Sequence, residues 1–136
     1  MNVVLDTNVV VSGLLTPSGN CGRILDLVID GQLTTLLDAR ILREYERVCL
    51  EPRLHLDPVA VRHILQYLGE FSEKVIAPPL DTRLPDPDDL PFLEVASAAA
   101  AILITGNRKH FPRREVAAVR VASPAEFMEL LRHRQA

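Results

Sequence analysis

Three side chains that could take part in chemistry follow the first apolar run of the chain. Val3-Val4-Leu5 leads directly into Asp6-Thr7-Asn8. A continuous apolar run is typical of a buried parallel strand, and open α/β sheets bind ligands outside the carboxyl ends of such strands. The placement favours a reaction centre at Asp6. The alternative is a turn in which the Asp and Asn side chains bond to nearby backbone groups.

Three other places carry oxygen-bearing side chains near the ends of predicted elements. Glu44 lies in the helix after the second strand, and Asp88 and Asp89 begin the helix before the fourth strand. Thr105-Gly106-Asn107 follows that fourth strand. Two carboxylates ~4 Å apart repel each other by roughly 1 kcal/mol in water and about 4 kcal/mol at an effective dielectric of 20. A cation relieves such repulsion, and oxygen ligands of this kind suit Mg²⁺ or Mn²⁺.

Each of these residues also has an ordinary structural interpretation. Glu44 is otherwise a solvated helix residue, and its spacing from apolar positions barely separates it from Glu46. Asp88 and Asp89 are otherwise an N-cap and a first-turn charge favoured by the helix dipole. Both roles are compatible if one Asp caps the helix while the other, by preference Asp89, binds metal. Asn107 is otherwise part of a Gly-Asn turn.

The elements that must position these residues alternate between short apolar strands and amphipathic helices. Strands are predicted over about 2–5, 33–37, 74–77, 102–105 and 118–121, and helices over 23–30, 39–50, 58–72, 90–101 and 124–131. Asp38 and Asp57 stand where helix N-caps belong, and Gly31 stands where a helix ends. Such alternation predicts an α/β fold whose parallel sheet carries helices on both faces.

The composition indicates one globular domain over residues 1–136. Residues are 48% apolar but only 4% aromatic, which suits a parallel sheet with an aliphatic core. Cys21 and Cys49 are far apart in sequence and are interpreted as reduced core residues. The apolar start meets Asp6 at once and has no basic region before it, so no signal peptide is expected. No apolar run is long enough to span a bilayer, and a cytoplasmic protein is predicted.

Four segments in order make the chain resemble a PIN domain. They are LDTNVVVSGL, the acidic residue in the helix after strand two, DPDDLPFLEVA, and LITGN-RKHFP. The resemblance spans about residues 2 to 127 and is nearest to PIN proteins assigned as toxins of toxin–antitoxin pairs. It implies a three-layer α/β/α sandwich with a central, mostly parallel sheet, and a metal-dependent ribonuclease.

The resemblance also assigns roles to residues. It makes Asp6, Glu44 and Asp89 the catalytic, metal-binding triad. Many PIN domains have a fourth acid where this chain has Asn107, which keeps an oxygen ligand but removes a charge. We therefore expect one Mg²⁺ or Mn²⁺ ion, or a second that is recruited with the RNA phosphate. Five polar residues are expected to support the site: Thr7, Asn8, Ser12, Asp88 and Thr105.

Basic residues near the expected site could bind RNA. Arg108, Lys109 and Arg113 would attract phosphates that the acids repel, although a solvated loop is the ordinary interpretation. His110 is either a general acid or base or, by preference, a surface histidine. Arg43 and Arg47 flank Glu44, but their helical spacing does not require them to face the site. Glu94 is expected at the periphery or facing solvent.

The expected function is endoribonucleolytic cleavage that leaves 3′-hydroxyl and 5′-phosphate ends. The expected partners are RNA, a small antitoxin protein and a second copy of the chain in a homodimer. One alternative is a PIN-like interaction module that acts through its partner, and Asn107 favours it. Another is a phosphatase with Asp6 as nucleophile, similar to haloacid-dehalogenase-like enzymes, but Asn8 stands where their second aspartate belongs.

Overall fold

A parallel sheet forms the centre of the computed structural model, which describes residues 1–116 and 118–135. Within these residues its five strands are β1 (Asn2–Leu5), β2 (Thr34–Leu37), β3 (Glu73–Lys74), β4 (Ile102–Ile104) and β5 (Val121–Ala122). They lie in the order β3-β2-β1-β4-β5, and all four neighbouring pairs are parallel. The predicted 1–136 domain span includes Ala117 and Ala136, which lie outside the described residues.

Helices cover both faces of this sheet and give the three-layer α/β/α sandwich that was expected. The described ranges contain seven: α1 (Thr7–Leu15), α2 (Asn20–Ile29), α3 (Ala39–Cys49), α4 (Pro58–Phe71), α5 (Leu90–Ala99), α6 (Arg113–Val116) and α7 (Pro124–Gln135). The helix α5 packs on β1, β2 and β4, while α1 packs on α2 and α3. Among the described residues, no helix combines the length and apolarity needed to cross a membrane.

The strand order creates a switch point between β1 and β4. From β1 the chain builds outward through β2 to β3, and it then returns to place β4 on the other side of β1. In open α/β sheets the crevice at the carboxyl ends of two such strands is where ligands bind. The backbone N–H of Asp6 donates to the carbonyl of Ile104 at 2.9 Å, so the residues that follow β1 and β4 begin side by side.

The core sits on β1 and the elements that enclose it. Val3, Val4 and Leu5 have no exposed surface, as expected for a central strand that is covered on both faces. The hydroxyl of Tyr45 on α3 donates to the carbonyl of Leu5 and ties that helix to the end of β1. Cys49 is a buried free thiol, consistent with the predicted reduced core residue, while Cys21 is only half-buried.

The local signals for helix ends are confirmed. Asp38 accepts a hydrogen bond from the backbone of Ile41 at 3.1 Å, and Asp57 accepts one from Val59 at 3.0 Å. These are N-caps, in which a side-chain oxygen satisfies a free helix N–H. Gly31 has a φ of +78°, the left-handed conformation that terminates many helices and that glycine adopts at little cost.

The sequence prediction missed α1 and misplaced the edges of the sheet. The run Val9-Val10-Val11 is β-branched and has low helix propensity, yet it is helical. Val9 and Val10 have no exposed surface there, so burial against the core outweighs propensity. The strands β3 and β5 are shorter than predicted and shifted, β3 toward the N-terminus and β5 toward the C-terminus, as is common where pairing is one-sided.

Candidate active site

Asp6 is a buried carboxylate held by neutral side chains. It directly follows β1 and is only 5% exposed. Its Oδ2 atom accepts hydrogen bonds from Thr105 Oγ1 at 2.6 Å and from Asn8 Nδ2 at 3.2 Å. Burial raises the pKa of Asp6 above its usual range, and the Thr105 hydrogen bond opposes that shift.

Two polar side chains connect the ends of β1 and β4. Asn8 Oδ1 accepts a hydrogen bond from the backbone of Gly106 at 3.1 Å, while Thr105 Oγ1 accepts one from Asn107 N at 3.0 Å. The Asp6-Thr7-Asn8 segment is therefore more than a local turn, since its side chains bind across the switch point. Asn8 is engaged in this bridge, which leaves it in a positioning role.

Glu44 faces Asp6 from the side of α3. It is half-buried, and Thr7 Oγ1 donates a hydrogen bond to its Oε2 atom. Burial raises the pKa of Glu44, the Thr7 hydrogen bond lowers it, and the nearby Asp6 charge raises it. Glu46 on the same helix is exposed. The contact with Thr7 distinguishes Glu44 from Glu46, which helical spacing could not do.

Asp89 supplies a third carboxylate, and Asp88 stays on the rim. Asp89 is 8% exposed, whereas Asp88 is exposed. Burial, followed by the Asp6 charge, raises the pKa of Asp89 to about 6, against an opposing effect of His110. The cap expected from Asp88 or Asp89 is supplied instead by Asp86, whose Oδ1 accepts from Asp88 N at 3.0 Å.

Asp86 and His110 join Asp89 in a group that sequence reasoning did not assemble. One ligand atom from each of the three residues lies within 4.8 Å of the others. His110 Nδ1 is 2.9 Å from Asp89 Oδ2, but the contact lacks hydrogen-bond geometry, and that buried oxygen accepts no hydrogen bond from the described residues. Asp86 stands three residues before Asp89 in a 3₁₀ turn, a spacing that places both on one face.

Asn107 bonds to the imidazole of His110 rather than to a carboxylate side chain. Its Nδ2 atom lies 3.0 Å from His110 Nε2. Asn107, which was expected to bind the metal directly, therefore lies beside His110, another side chain that could bind metal. The side chain of His110 is 39% exposed and contacts both Asn107 and Asp89, which is consistent with a surface histidine, and its role as acid or base stays a prediction.

Ser12 and Glu94 lie in surroundings that the sequence did not predict. Ser12 is exposed and lines a cavity of about 360 Å³ with Gly106 and Ser123, and its support of Asp6 stays a prediction. Glu94, expected near solvent, is 4% exposed. It accepts hydrogen bonds from Arg40 at 2.8 Å and from the backbone of Leu80 at 2.8 Å, which fastens the loop before α5.

The basic residues near the site differ in their surroundings. Arg108 Nη1 lies 2.7 Å from Glu126 Oε1, whereas Lys109 and Arg113 are exposed. Arg43 and Arg47 line a cavity of about 780 Å³ together with Glu44 and Asp88. The two α3 arginines therefore do face the acidic side chains, although their spacing alone did not require it.

Comparison with known proteins identifies the family. Residues 2–109 match the PIN domain family. The chain belongs to the PIN domain family. It is 32% identical over 140 residues to the uncharacterized protein MJ1680 of Methanocaldococcus jannaschii, covering 95% of this chain and 90% of that protein. Its fold is similar to one in the crystal structure of VapBC2 from Rickettsia felis bound to a DNA fragment from their promoter. That similarity has a TM-score of 0.59 at 16% identity and covers 90% of this chain and 98% of the other.

The acidic side chains of this PIN domain fit a divalent cation. PIN domains are generally metal-dependent nucleases, and such chemistry needs clustered oxygen ligands. Asp6, Glu44 and Asp89 all have raised pKa values, and Asp89 keeps a buried oxygen without a hydrogen-bond partner in the described part of the chain. A cation would satisfy that oxygen and neutralise the mutual repulsion of the carboxylates.

Proposed function

We propose that this PIN domain is a metal-dependent endoribonuclease that hydrolyses RNA phosphodiester bonds. The observation that supports the proposal is that Asp6, which follows β1 at the switch point of the sheet, Glu44 and Asp89 are carboxylates with raised pKa values, and that the charge of Asp6 raises the pKa of the other two. Burying acids together is unfavourable in the free protein, so the arrangement makes sense for a cation-dependent reaction.

Each polar residue then has a defined task. Asp6, Glu44 and Asp89 would hold Mg²⁺ or Mn²⁺. Thr7 fixes Glu44 through its hydroxyl, while Asn8 and Thr105 fix Asp6. Bound there, the cation would supply a Lewis acid for the scissile phosphate and a means of activating water. The expected products carry 3′-hydroxyl and 5′-phosphate ends.

RNA would approach along the basic residues of the rim. Exposed lysine and arginine side chains attract phosphates by an effect that weakens with salt. Arg43 and Arg47 border the acidic cavity, and Lys109 and Arg113 are exposed in the segment after β4. Arg108 is the weakest candidate of the basic segment because Glu126 already pairs with it.

We further infer that the protein acts as a toxin restrained by a small antitoxin and that it works as a cytoplasmic homodimer. The Rickettsia felis structure with a similar fold is that of VapBC2 bound to a DNA fragment from their promoter, which supports a partner for this fold. Co-expression with the product of a neighbouring small gene, followed by affinity capture and mass determination, tests the partner. Sedimentation of the purified protein tests the dimer.

The decisive experiment is cleavage of end-labelled single-stranded RNA in Mn²⁺ by the wild type and by Asp6→Asn. We expect the variant to lose at least about 100-fold in rate, since it removes a ligand charge from the reaction centre. Asp30→Asn, a matched change at an exposed residue of the α2 terminus, should leave the rate unchanged. Undiminished cleavage by Asp6→Asn, or activity that survives EDTA, would overturn the proposal.

An interaction module without strong catalysis is the second candidate. The observation that favours it is Asn107, which bonds to His110 where many PIN domains carry a fourth acid. A wild-type protein that binds its partner but cleaves neither single-stranded RNA, tRNA nor rRNA in Mn²⁺ would establish this candidate over the nuclease.

A further inference from the structure

We infer that His110 supplies a nitrogen ligand to the cation of this site, beside Asp86 and Asp89, and that Asn107 orients the imidazole. The inference rests on the metal dependence proposed above and adds residues outside the acidic triad. It also gives the site a preference among cations, which carboxylates alone would not provide.

The distances fit a shared cation. The ligand atoms of Asp86, Asp89 and His110 lie within 4.8 Å of one another, and His110 Nδ1 is 2.9 Å from Asp89 Oδ2. Adjacent ligands of a six-coordinate cation at about 2.1 Å are separated by about 3 Å. The nitrogen and the carboxylate oxygen are therefore spaced as neighbours in one coordination shell.

A buried oxygen independently points to a ligand at this place. Asp89 is 8% exposed, and its Oδ2 atom has no partner with hydrogen-bond geometry among the residues that the structure describes; the group that approaches it, at 2.9 Å, is His110 Nδ1. A carboxylate oxygen that is removed from water and held only by a misaligned contact is costly. The unsatisfied atom is the one that faces His110 Nδ1, so a cation between the two groups would satisfy both.

Asn107 fits the role of an outer partner of His110. A histidine that binds metal through one ring nitrogen carries a hydrogen on the other, and a hydrogen-bond acceptor there fixes the ring. Asn107 Nδ2 lies 3.0 Å from His110 Nε2. An amide can donate to a bare ring nitrogen or, turned by 180°, accept from a protonated one. An asparagine therefore serves the ring both without and with metal, whereas a carboxylate could only accept.

The nitrogen ligand identifies the class of cation. Imidazole suits Co²⁺ better than Mn²⁺, since affinity for nitrogen ligands rises along the first transition row, and it suits Mg²⁺ least, because Mg²⁺ prefers ligand sets made of oxygen. We therefore expect the site to bind Mn²⁺ and Co²⁺ more tightly than Mg²⁺, and we expect His110 to be the residue that sets this preference.

Calorimetric titration of the full chain with Mn²⁺, Co²⁺ and Mg²⁺, each alone, tests the inference without using activity. We expect His110→Ala to weaken Mn²⁺ and Co²⁺ binding by at least about 10-fold and Mg²⁺ binding by much less. Asn107→Ala should weaken Mn²⁺ binding by about 10-fold, as removal of an outer partner does. His63→Ala, at an exposed histidine of α4, is the matched control and should change nothing.

A direct readout accompanies the titration. The Co²⁺ form should show one strongly shifted, exchangeable ring N–H proton resonance that disappears in His110→Ala, while thermal unfolding shows that the variant is folded. An unchanged Mn²⁺-to-Mg²⁺ preference in folded His110→Ala would overturn this inference and leave the proposed nuclease intact. A wild type that binds no cation would overturn both.

Discussion

Two regions at opposite ends of α1 use burial for opposite purposes. Before its first turn, Asp6 is buried among other acids and has a raised pKa. Beyond its last turn, Gly22 of α2 packs on the loop that joins α1 to α2, where a Cβ on Gly22 would lie 2.0 Å from the carbonyl oxygen of Pro17. The first region buries charge at the expense of stability, and the second removes side chains to gain close packing. The helix α1 thus lies between the candidate active site at one end and a region of close packing that stabilises the fold at the other.

The largest effect should come from adding a side chain at Gly22. Gly22→Ala forces its Cβ against the Pro17 carbonyl, and backbone cannot yield cheaply, so we expect a loss of about 3 kcal/mol in unfolding free energy. Urea unfolding measures this loss. Gly69→Ala is the matched control, because its Cβ would meet only Leu42 at 3.6 Å; helix propensity should then raise stability by about 0.5–1 kcal/mol. Equal stability of Gly22→Ala and the wild type would contradict the close approach of Gly22 to Pro17.

A substitution in the acidic region should raise the stability of the metal-free protein, whereas Gly22→Ala lowers stability. In the metal-free protein, Asp89 has its pKa raised from 3.8 to about 6, so the folded state binds more protons than the unfolded state between these values. Wild-type stability therefore falls as pH rises through this window. Asp89→Asn removes the buried charge and should stabilise the EDTA-treated protein at pH 7 by roughly 1 kcal/mol, or about 4 °C in Tm.

The same variant has a built-in pH control. Below about pH 3, under both the unfolded and the folded pKa values, the wild-type carboxyl is protonated in both states, so the Tm difference between Asp89→Asn and wild type should vanish. A destabilised variant at pH 7 without metal would show that Asp89 is a stabilising charge, and the contrast between the two regions would fail.

The two regions should also differ, by a smaller effect, in how much their arginines contribute to RNA binding. Arg43 lines the cavity that Glu44 and Asp88 also line, while Arg23 is exposed on α2 next to Gly22. In the Asp6→Asn background, which prevents cleavage, Arg43→Ala should reduce the slope of log K against log salt by about 0.7, the value for one phosphate contact of a single strand. Fluorescence anisotropy at several salt concentrations measures the slope. Arg23→Ala should leave it unchanged, and an equal effect of both variants would refute a defined RNA path.

The smallest effect lies outside both regions, at the end of α5. Ala100 has a φ of 51°, a left-handed conformation that costs alanine about 1 kcal/mol. Ala100→Gly should therefore raise the unfolding free energy by about 0.5–1 kcal/mol. Ala98→Gly, inside the same helix, should lower it by a similar amount, and two changes of the same sign would contradict the conformational argument.

The sequence predicts those features that depend on local pattern. Apolar strands, the Asp38 cap and the Gly31 terminus follow from short-range rules, and the carboxyl-end rule places Asp6 at the switch point. Family resemblance was needed to separate Glu44 from Glu46, because only the fold brings Thr7 to one of them.

The rest depends on contacts between distant segments. The helix α1 is stabilised by burial against the core, which the sequence pattern of its valines did not predict. The association of Asp86 with His110 requires a 3₁₀ turn before α5 and another after β4 to meet, and the placement of Glu94 requires Arg40 from α3. The cavity that Ser12 lines with Gly106 could not be foreseen because α1, which carries Ser12, was not predicted.

The central position of the first strand has a consequence for synthesis. Asp6 leaves the ribosome 99 residues before its hydrogen-bond partner Thr105, and a chain that stops before Thr105 cannot build that contact. Long-range closure of this kind is slow and late in folding. The order of the strands therefore delays assembly of the site. A nascent or truncated chain carries the acidic residues but cannot yet bring them together with Thr105.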